Sequence, residues 1–467
     1  MKLYNTLSRK TEPLAPLHGP IVTLYTCGPT VYSHPHIGNW FAYVRWDTLV
    51  RTLKVSDYTP KWVLNITDVG HLVSDADEGE DKLEKGARRE GKTAWEVAAF
   101  YTEYFVDGLK RLNILTPDVM PKATEHIAEQ IALVQQLEEK GYTYVIDDGV
   151  YYDTSKFPRY ADFARLDLDE QQAGARVEFN GQKRNVNDFA LWKFSPKDHK
   201  RDMEWDSPWG VGFPGWHIEC SAMSMKYLGE TLDIHTGGIE HIPVHHTNEI
   251  AQSEAVTGKP FANMWLHSNH ITVNGDKISK SLGNGLTLED IEKQGLPLMA
   301  LRLHVLESHY RSQSKFSWDS LQAARNRLQG LYAMAVLRWQ CAPIERDNSV
   351  FFQEQAAHIL AAMQDDLDSP KALALLSALQ NKLEILLVSA AEWEAFEHLL
   401  TTLDNLFGLD LMAQPDISTE QKKLLADRQT ARDSKDWTAS DKLRDQLKDQ
   451  GLGVRDTEYG PIWYRQS

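Results

Sequence analysis

The N-terminal region reads, in order, Ile21-Val22-Thr23-Leu24-Tyr25-Thr26, then Cys27-Gly28-Pro29-Thr30, and soon afterwards His36-Ile37-Gly38-Asn39. The first run has the length and apolar character of a strand. The second has the glycine and proline of a tight turn, and the third opens a long segment without proline. A strand, a turn and a helix in this order predict the first unit of a parallel α/β sheet. Because free N–H groups at a helix start favour an anion, the turn is also a predicted phosphate site.

Later runs extend this pattern. We expect the helix to continue to residues 49–53. The further predicted strands are 61–66, 231–235 and 265–267. Residues 116–200 interrupt the sheet, and we interpret them as an insertion. It contains a helix rich in Glu and Gln and a predicted hairpin at 142–152 around Asp147-Asp148-Gly149.

The pattern becomes helical after residue 312. Ser317 is a predicted N-cap, and apolar residues then recur at helical spacing at Leu321, Ala324, Leu328, Leu331 and Ala335. Two more long helices are predicted within 350–406, separated by Asp368-Ser369-Pro370. A loop around Pro415 precedes a small end domain.

Composition limits the class of protein. The chain has 467 residues, 42% hydrophobic and 25% charged, which is typical of a globular protein with several domains. It lacks an apolar run long enough for a membrane span and an apolar N-terminal signal. Three cysteines cannot form a disulfide framework. We therefore expect a cytoplasmic protein with no membrane partner, and a monomer.

The charge is unevenly distributed. A net charge of −16 argues against a surface that coats nucleic acid. Residues 416–467 differ, since their ten Lys/Arg balance ten Asp/Glu. Such charges can also belong to a solvated helix face, and that alternative stays open from composition alone.

A second motif, Lys277-Ile278-Ser279-Lys280-Ser281, lies far along the chain. Its lysines are point charges on flexible stems, suited to bind phosphates. Together with His36-Ile37-Gly38-Asn39 it resembles the HIGH and KMSKS signatures of class I aminoacyl-tRNA synthetases. Asn39 departs from that pattern, because it replaces the usual last histidine and cannot become cationic.

Four further blocks narrow the resemblance to the cysteinyl-tRNA synthetase family. They are Cys27-Gly28-Pro29-Thr30-Val31-Tyr32, Trp216-His217-Ile218-Glu219-Cys220-Ser221-Ala222-Met223, Asp233-Ile234-His235 and His245-His246-Thr247-Asn248-Glu249-Ile250-Ala251-Gln252-Ser253. The resemblance runs from Lys2 to Trp463. It implies a Rossmann-type parallel-sheet catalytic domain with an inserted connective domain, then a helical bundle and a small C-terminal domain. The implied boundaries are 1–115 and 201–312 for the two halves of the catalytic domain, 116–200 for the connective insertion, 313–412 for the bundle and 413–467 for an anticodon-binding domain.

The resemblance also implies one zinc ion, held by Cys27, Cys220, His245 and Glu249. These are acceptable zinc ligands, and His245 and Glu249 at i and i+4 share one helix face. Spacing alone leaves alternatives, because buried cysteines are commonly inert and His246 competes with His245. Cys341 is expected to be a packing residue at a helix end.

The implied activity is ATP-dependent attachment of cysteine to cysteine tRNA through a cysteinyl-adenylate, with zinc selecting the thiolate and Mg²⁺ accompanying ATP. The implied catalytic residues are His36, Lys277 and Lys280. The implied ATP-binding residues are His36, Gly38, Asn39, Lys277, Ser279 and Lys280. The implied substrate-binding residues are Thr30, Trp216, His217 and His235.

The sequence argues against two rival functions. One is a ligase that passes the same adenylate to the amine of a small sugar, as mycothiol ligase does, and such proteins lack the anticodon-binding end. The other is a non-catalytic RNA-binding protein, which we would expect to have lost the second motif or the zinc ligands. In the end domain, Trp437, Trp463 and Tyr464 are predicted to stack on unpaired bases, although the segment could instead be a small stabilising cap.

Overall fold

Four parallel strands form the central sheet. In spatial order they are Ala262–Ser268, Leu232–Gly238, Ile21–Thr26 and Thr59–Leu64. The computed structural model describes residues 1–70, 81–166, 181–198, 200–278 and 285–466. The predicted parallel α/β fold is confirmed, and Ile21–Thr26 has the predicted bounds. The strand Thr59–Leu64 begins and ends slightly earlier than predicted.

The helix Ile37–Val55 follows the first strand and is buried around most of its circumference. His36 is its N-cap in extended conformation, and the Asn39 side chain accepts a hydrogen bond from the His36 backbone N–H at 3.0 Å. This contact fixes the turn from the sheet into the helix. Near the other end, Arg51 and Arg302 both bind Asp47, and both also donate to carbonyls that end the helix Trp393–Phe407. The helix therefore joins the sheet to the helical region.

The other elements of the sheet region are mostly helices. They are Lys82–Glu90, Ala94–Arg111, Ile127–Glu139, Trp216–Leu228, Thr247–Thr257, Leu288–Lys293 and Leu298–Leu306, with one-turn helices at Ala123–His126, Thr154–Lys156 and Ile239–His241 and a π-helical turn at Ile242–His246. A hairpin pairs Lys2–Asn5 with Lys10–Pro13.

A second sheet is antiparallel. Its strands are Thr143–Ile146, Gly149–Tyr152, Phe189–Phe194 and Gly212–Pro214. The first two form the predicted hairpin. The last strand lies beyond residue 200, where the sequence places the end of the insertion. A small sheet consists of Ile271–Val273, Asp276–Lys277 and Ser314–Phe316. Its strand Asp276–Lys277 reaches the start of the motif at 277–281, which we call the lysine motif.

The helical region contains Trp318–Ala335, Val336–Trp339, Ser349–Gln364, Ser369–Leu386 and Trp393–Phe407. Ser317 caps the first of these helices as predicted. The prediction of two helices within 350–406 is wrong, because a second break follows Leu386. Leu387 there has a φ of 53°, which ends the helix without a glycine or proline. Cys341 is exposed, so its predicted packing role is also wrong.

The C-terminal part consists of the helices Thr419–Asp433 and Trp437–Asp449 and the hairpin Leu452–Thr457 with Gly460–Arg465. Its small core includes Leu447 and Trp463 and reaches Val336 in the helical region. Among the described residues, no helix is both long and apolar enough to cross a membrane.

Candidate active site

Most of the predicted site residues that the structure describes gather at the carboxyl ends of the four parallel strands, where open α/β sheets bind ligands. Cys27 follows the first strand directly, and Asn65 follows its neighbour Thr59–Leu64. These two turns lie so close that a Cβ atom on Gly28 would stand 1.5 Å from the Asn65 carbonyl oxygen. Only glycine fits there, and its N–H donates to the Asn65 side chain at 2.8 Å.

Cys27, Cys220, His245 and Glu249 come together as one buried group, which we call the donor cluster. Their ligand atoms all lie within 4.8 Å of one another. His245 Nε2 lies 3.0 Å from Glu249 Oε1, and Cys27 Sγ lies 3.8 Å from the same oxygen. Two thiols, one imidazole and one carboxylate are donors that zinc accepts, so this part of the chain fits a zinc ion.

Electrostatics within the donor cluster favour a thiolate. The hydrogen bond with Cys27 is the main reason that the pKa of Cys220 falls to about 6, against the effect of burial. Burial, together with the same bond, raises the pKa of Cys27 well above its ordinary value. Burial also opposes a charge on His245, but Glu249 and Cys220 outweigh it and raise the pKa of His245 to about 10. One of the two thiols is therefore favoured as a thiolate, the form that binds a metal.

Two predicted substrate residues, His217 and His235, lie behind the donor cluster. His217 Nδ1 lies 2.8 Å from His245 Nδ1, and His235 Nε2 lies 2.8 Å from Glu249 Oε2. Both histidines are buried, and neither lines the 370 Å³ cavity that adjoins the donor cluster or the 230 Å³ cavity next to it. They are thus placed to orient ligands, an arrangement that tunes metal sites.

His246 belongs to a second group, with Cys27, His235 and Glu249, whose ligand atoms meet the same distance limit. Its Nε2 lies 3.4 Å from Cys27 Sγ, and its Nδ1 lies 2.8 Å from His267. Burial lowers the pKa of His246 well below its ordinary value, so its ring is neutral. The second group shares two members with the donor cluster but has one cysteine instead of two.

A cavity of 370 Å³ adjoins the donor cluster. Its lining includes Cys27, Thr30, His36, Gly38, Asn39, Trp216, Ile278 and Gly285. A second cavity of 230 Å³ shares His36, Gly38, Asn39 and Ile278 and continues to Ser268, Asn269 and His270. Because the two cavities share walls, they form one groove that connects Cys27 of the donor cluster with the start of a helix.

The lysine motif borders this groove. Ile278, a residue of the motif, lines the groove, and so does Gly285, four residues beyond the motif. Ser279 and Lys280 lie outside the described residues, as does the side chain of Lys277, whose backbone belongs to the strand Asp276–Lys277. Their predicted contacts with phosphates therefore stay predictions.

Sequence reasoning missed two parts of the site. Asn65 contacts both the Gly28 turn and Cys220, whose Sγ lies 3.8 Å from its side-chain oxygen. Its position near the carboxyl end of the predicted strand 61–66 is a signal that sequence reasoning could use. His267 links His246 to Thr6, whose hydroxyl lies 2.7 Å from the ring. Nothing in local sequence spacing indicates that contact, because the partners are far apart in the chain.

The fold is that of class I aminoacyl-tRNA synthetases. The structure is similar to Mycobacterium tuberculosis methionyl-tRNA synthetase in complex with methionyl-adenylate, with a TM-score of 0.57, 14% identity and coverage of 90% of this chain and 96% of that one. It is also similar to a putative arginyl-tRNA synthetase from Campylobacter jejuni, with a TM-score of 0.52, 14% identity and coverage of 83% and 92%. At this identity the likeness shows the fold alone.

Sequence comparison defines the family. Residues 13–326 match the model of the class I (C) tRNA synthetase catalytic domain, and residues 414–463 match the cysteinyl-tRNA ligase anticodon binding domain. Cysteine--tRNA ligase 1 of Burkholderia lata is 45% identical over 98% of this chain and 96% of its own length. Cysteine--tRNA ligase of Thermus thermophilus is 41% identical over 99% and 98%. The chain belongs to the cysteinyl-tRNA ligase family.

Proposed function

We propose that this enzyme attaches cysteine to cysteine tRNA in two steps, through a cysteinyl-adenylate formed from cysteine and ATP with Mg²⁺. One observation carries the proposal: the groove that starts at the helix N-terminus of His36 ends at the donor cluster. A thiol amino acid would bind at one end of the groove and a triphosphate at the other, so that their reacting groups would be adjacent within the groove. Cysteine-dependent exchange of pyrophosphate into ATP tests the first step, and charging of cysteine tRNA tests the second.

The donor cluster is the proposed zinc site. It offers two thiols where the group with His246 offers one, and zinc favours thiolate ligands. His217 and His235 each bond one of its members, as outer partners of a metal site do. Zinc there would supply a centre that prefers sulfur to oxygen, a distinction that an apolar pocket makes poorly. Trp216 and Thr30, which line the groove, would enclose the substrate. The Trp216 ring lies 4.9 Å from that of His245.

The chain's own residues would position the reacting groups for attack of the cysteine carboxylate on the α-phosphate. His36 and Asn39 line the groove at the start of a helix, where the helix dipole favours phosphate. The side chain of Asn39 accepts a hydrogen bond from the His36 N–H, so this neutral residue acts as a structural cap. Lys277 and Lys280 would therefore supply the positive charge that binds the phosphates. The catalytic contribution is orientation and charge.

The C-terminal part of the chain argues against the rival activity, in which the cysteinyl group of the adenylate is transferred to the amine of a small sugar. Proteins of that kind lack an anticodon-binding end, whereas residues 414–463 match one. We propose that residues 413–467 bind the anticodon region of cysteine tRNA, and that the enzyme works as a monomer in the cytoplasm, where tRNA is charged. Sedimentation of the purified chain at several concentrations tests the monomer.

Aromatic stacking on tRNA is proposed for Trp437 and not for Trp463. Trp463 is 4% exposed and packs in the small C-terminal core, so its predicted stacking role is wrong. Trp437 is 56% exposed, and the Arg432 guanidinium lies 5.6 Å from its ring centroid. An exposed ring beside a cation can hold one unpaired base while the cation meets phosphate.

Replacement of Trp437 by alanine is expected to weaken tRNA binding. Stacking of one base on an aromatic ring contributes about 1–3 kcal/mol, so the KM for tRNA should rise by about 5- to 150-fold. Cysteine-dependent pyrophosphate exchange should not change, because the groove is untouched. Trp95→Ala is the matched control, since Trp95 is also exposed but lies in the N-terminal half. An unchanged tRNA KM in Trp437→Ala would contradict the assignment.

A further inference from the structure

Arg45, two turns into the helix Ile37–Val55, has a buried guanidinium that contacts only neutral groups in the described part of the chain. It donates to Ser268 Oγ at 2.6 Å and to the Asn269 carbonyl at 2.9 Å. Its other terminal nitrogen donates to Ser314 Oγ at 2.5 Å and to Ser308 Oγ at 3.3 Å. Only 4% of the residue is exposed, and burial lowers its pKa to about 10.

Such an arrangement is a poor way to stabilise a fold. Burial of a charge is costly unless an opposite charge compensates for it, and an apolar side chain of similar volume commonly does as well or better. Arg51 on the same helix and Arg302 are also buried, and both bind a carboxylate, that of Asp47. The benefit of Arg45 must therefore be sought in the groups that it holds in place.

Two of those groups, Ser268 and Asn269, belong to the wall of the groove, and Ser314 belongs to the small sheet beside it. Ser268 ends the edge strand Ala262–Ser268, Asn269 follows it, and both line the 230 Å³ cavity. Ser314 begins the strand Ser314–Phe316, which pairs with Ile271–Val273, and that strand in turn pairs with Asp276–Lys277. The helix that carries Arg45 begins at His36. One guanidinium thus joins the phosphate-facing helix, the end of the outermost strand and the small sheet that leads into the lysine motif.

We propose that Arg45 is a positioning residue for ATP, which sets the distance between the N-terminus of the His36 helix and the small sheet that carries the lysine motif. Arg45 is not among the residues that line either cavity, so it acts through the groups that it binds. The donor cluster is anchored by other contacts, among them those of His217 and His235. Loss of Arg45 should therefore raise the KM for ATP and leave the KM for cysteine unchanged. This inference rests on the proposed function.

The test uses two variants of the full chain in cysteine-dependent pyrophosphate exchange. Arg45→Met removes the charge and all donors, and its ATP KM should rise by about tenfold or more, because small displacements of reacting groups are costly. Arg45→Lys keeps the charge but lacks the planar fork, so its ATP KM should rise by about threefold. In both, the cysteine KM should stay within about twofold of wild type, and the zinc content per chain should not change.

Arg327→Met is the matched control, because Arg327 is exposed and pairs with Glu307 at the surface. It should leave both KM values unchanged. The inference is overturned if Arg45→Met and Arg45→Lys keep the wild-type ATP KM, or if the ATP and cysteine KM values rise together. If Arg45→Met fails to fold, Arg45→Lys decides. Absence of exchange in the wild-type enzyme would instead refute the proposed function, so the two failures are distinguishable.

Discussion

Purified wild-type enzyme should contain one zinc ion per chain, and Cys220→Ser should lose both the metal and cysteine activation. Cys220 is the cysteine whose pKa is lowered, to about 6, and a serine hydroxyl cannot replace a thiolate at neutral pH. Substitution of outer partners alone reduces metal affinity by about 10–100-fold, and loss of a direct ligand should exceed that. Metal analysis after dialysis and cysteine-dependent pyrophosphate exchange measure the two losses.

Cys341→Ser supplies the control for this experiment. Cys341 is the exposed cysteine of the chain and is remote from the donor cluster in sequence, so its loss should change neither zinc content nor activity. Wild-type enzyme should also fail to activate serine at equal concentration, because an alcohol is a weak zinc ligand. A preparation of Cys220→Ser that remains fully active without metal would remove zinc from the mechanism.

Local signals explain what could be predicted of the fold. The strand Ile21–Thr26 and the cap at Ser317 are encoded within a few residues, and both were predicted correctly. The break after Leu386 was missed because a leucine with positive φ carries no sequence signal. Burial of Trp463 was missed for a related reason: its partners, Val336 and Leu447, come from other elements of the chain.

The donor cluster shows where local reasoning reaches its limit. His245 and Glu249 are four residues apart, and their proximity follows from helical geometry. Cys27 and Cys220 are brought together only because the parallel sheet places the ends of distant strands and the helix Trp216–Leu228 at one edge. Family resemblance supplied that pairing. The role of Arg45 needed the structure itself, because its partners are spread over three separate elements.

Replacement of Lys280 by alanine should slow adenylate formation by about two to three orders of magnitude, which corresponds to the 2.7–4 kcal/mol typical of a lost transition-state donor. The proposed role of its charge is to stabilise the pyrophosphate as it departs, and that charge develops mainly in the transition state. The rate of exchange at saturation should therefore fall far more than cysteine affinity. Exchange kinetics over a range of ATP and cysteine concentrations separate the two effects.

Lys293→Ala is the matched control, because Lys293 is an exposed lysine on the next helix, Leu288–Lys293, and pairs with Asp290 at the surface. The same loss of charge there should leave the exchange rate unchanged, which separates a local effect from a change in net charge. Zinc content should be normal in both variants, since neither lysine belongs to the donor cluster. If Lys280→Ala raised only the cysteine KM, its charge would be acting on substrate binding, and the lysine motif would have no part in stabilising the departing pyrophosphate.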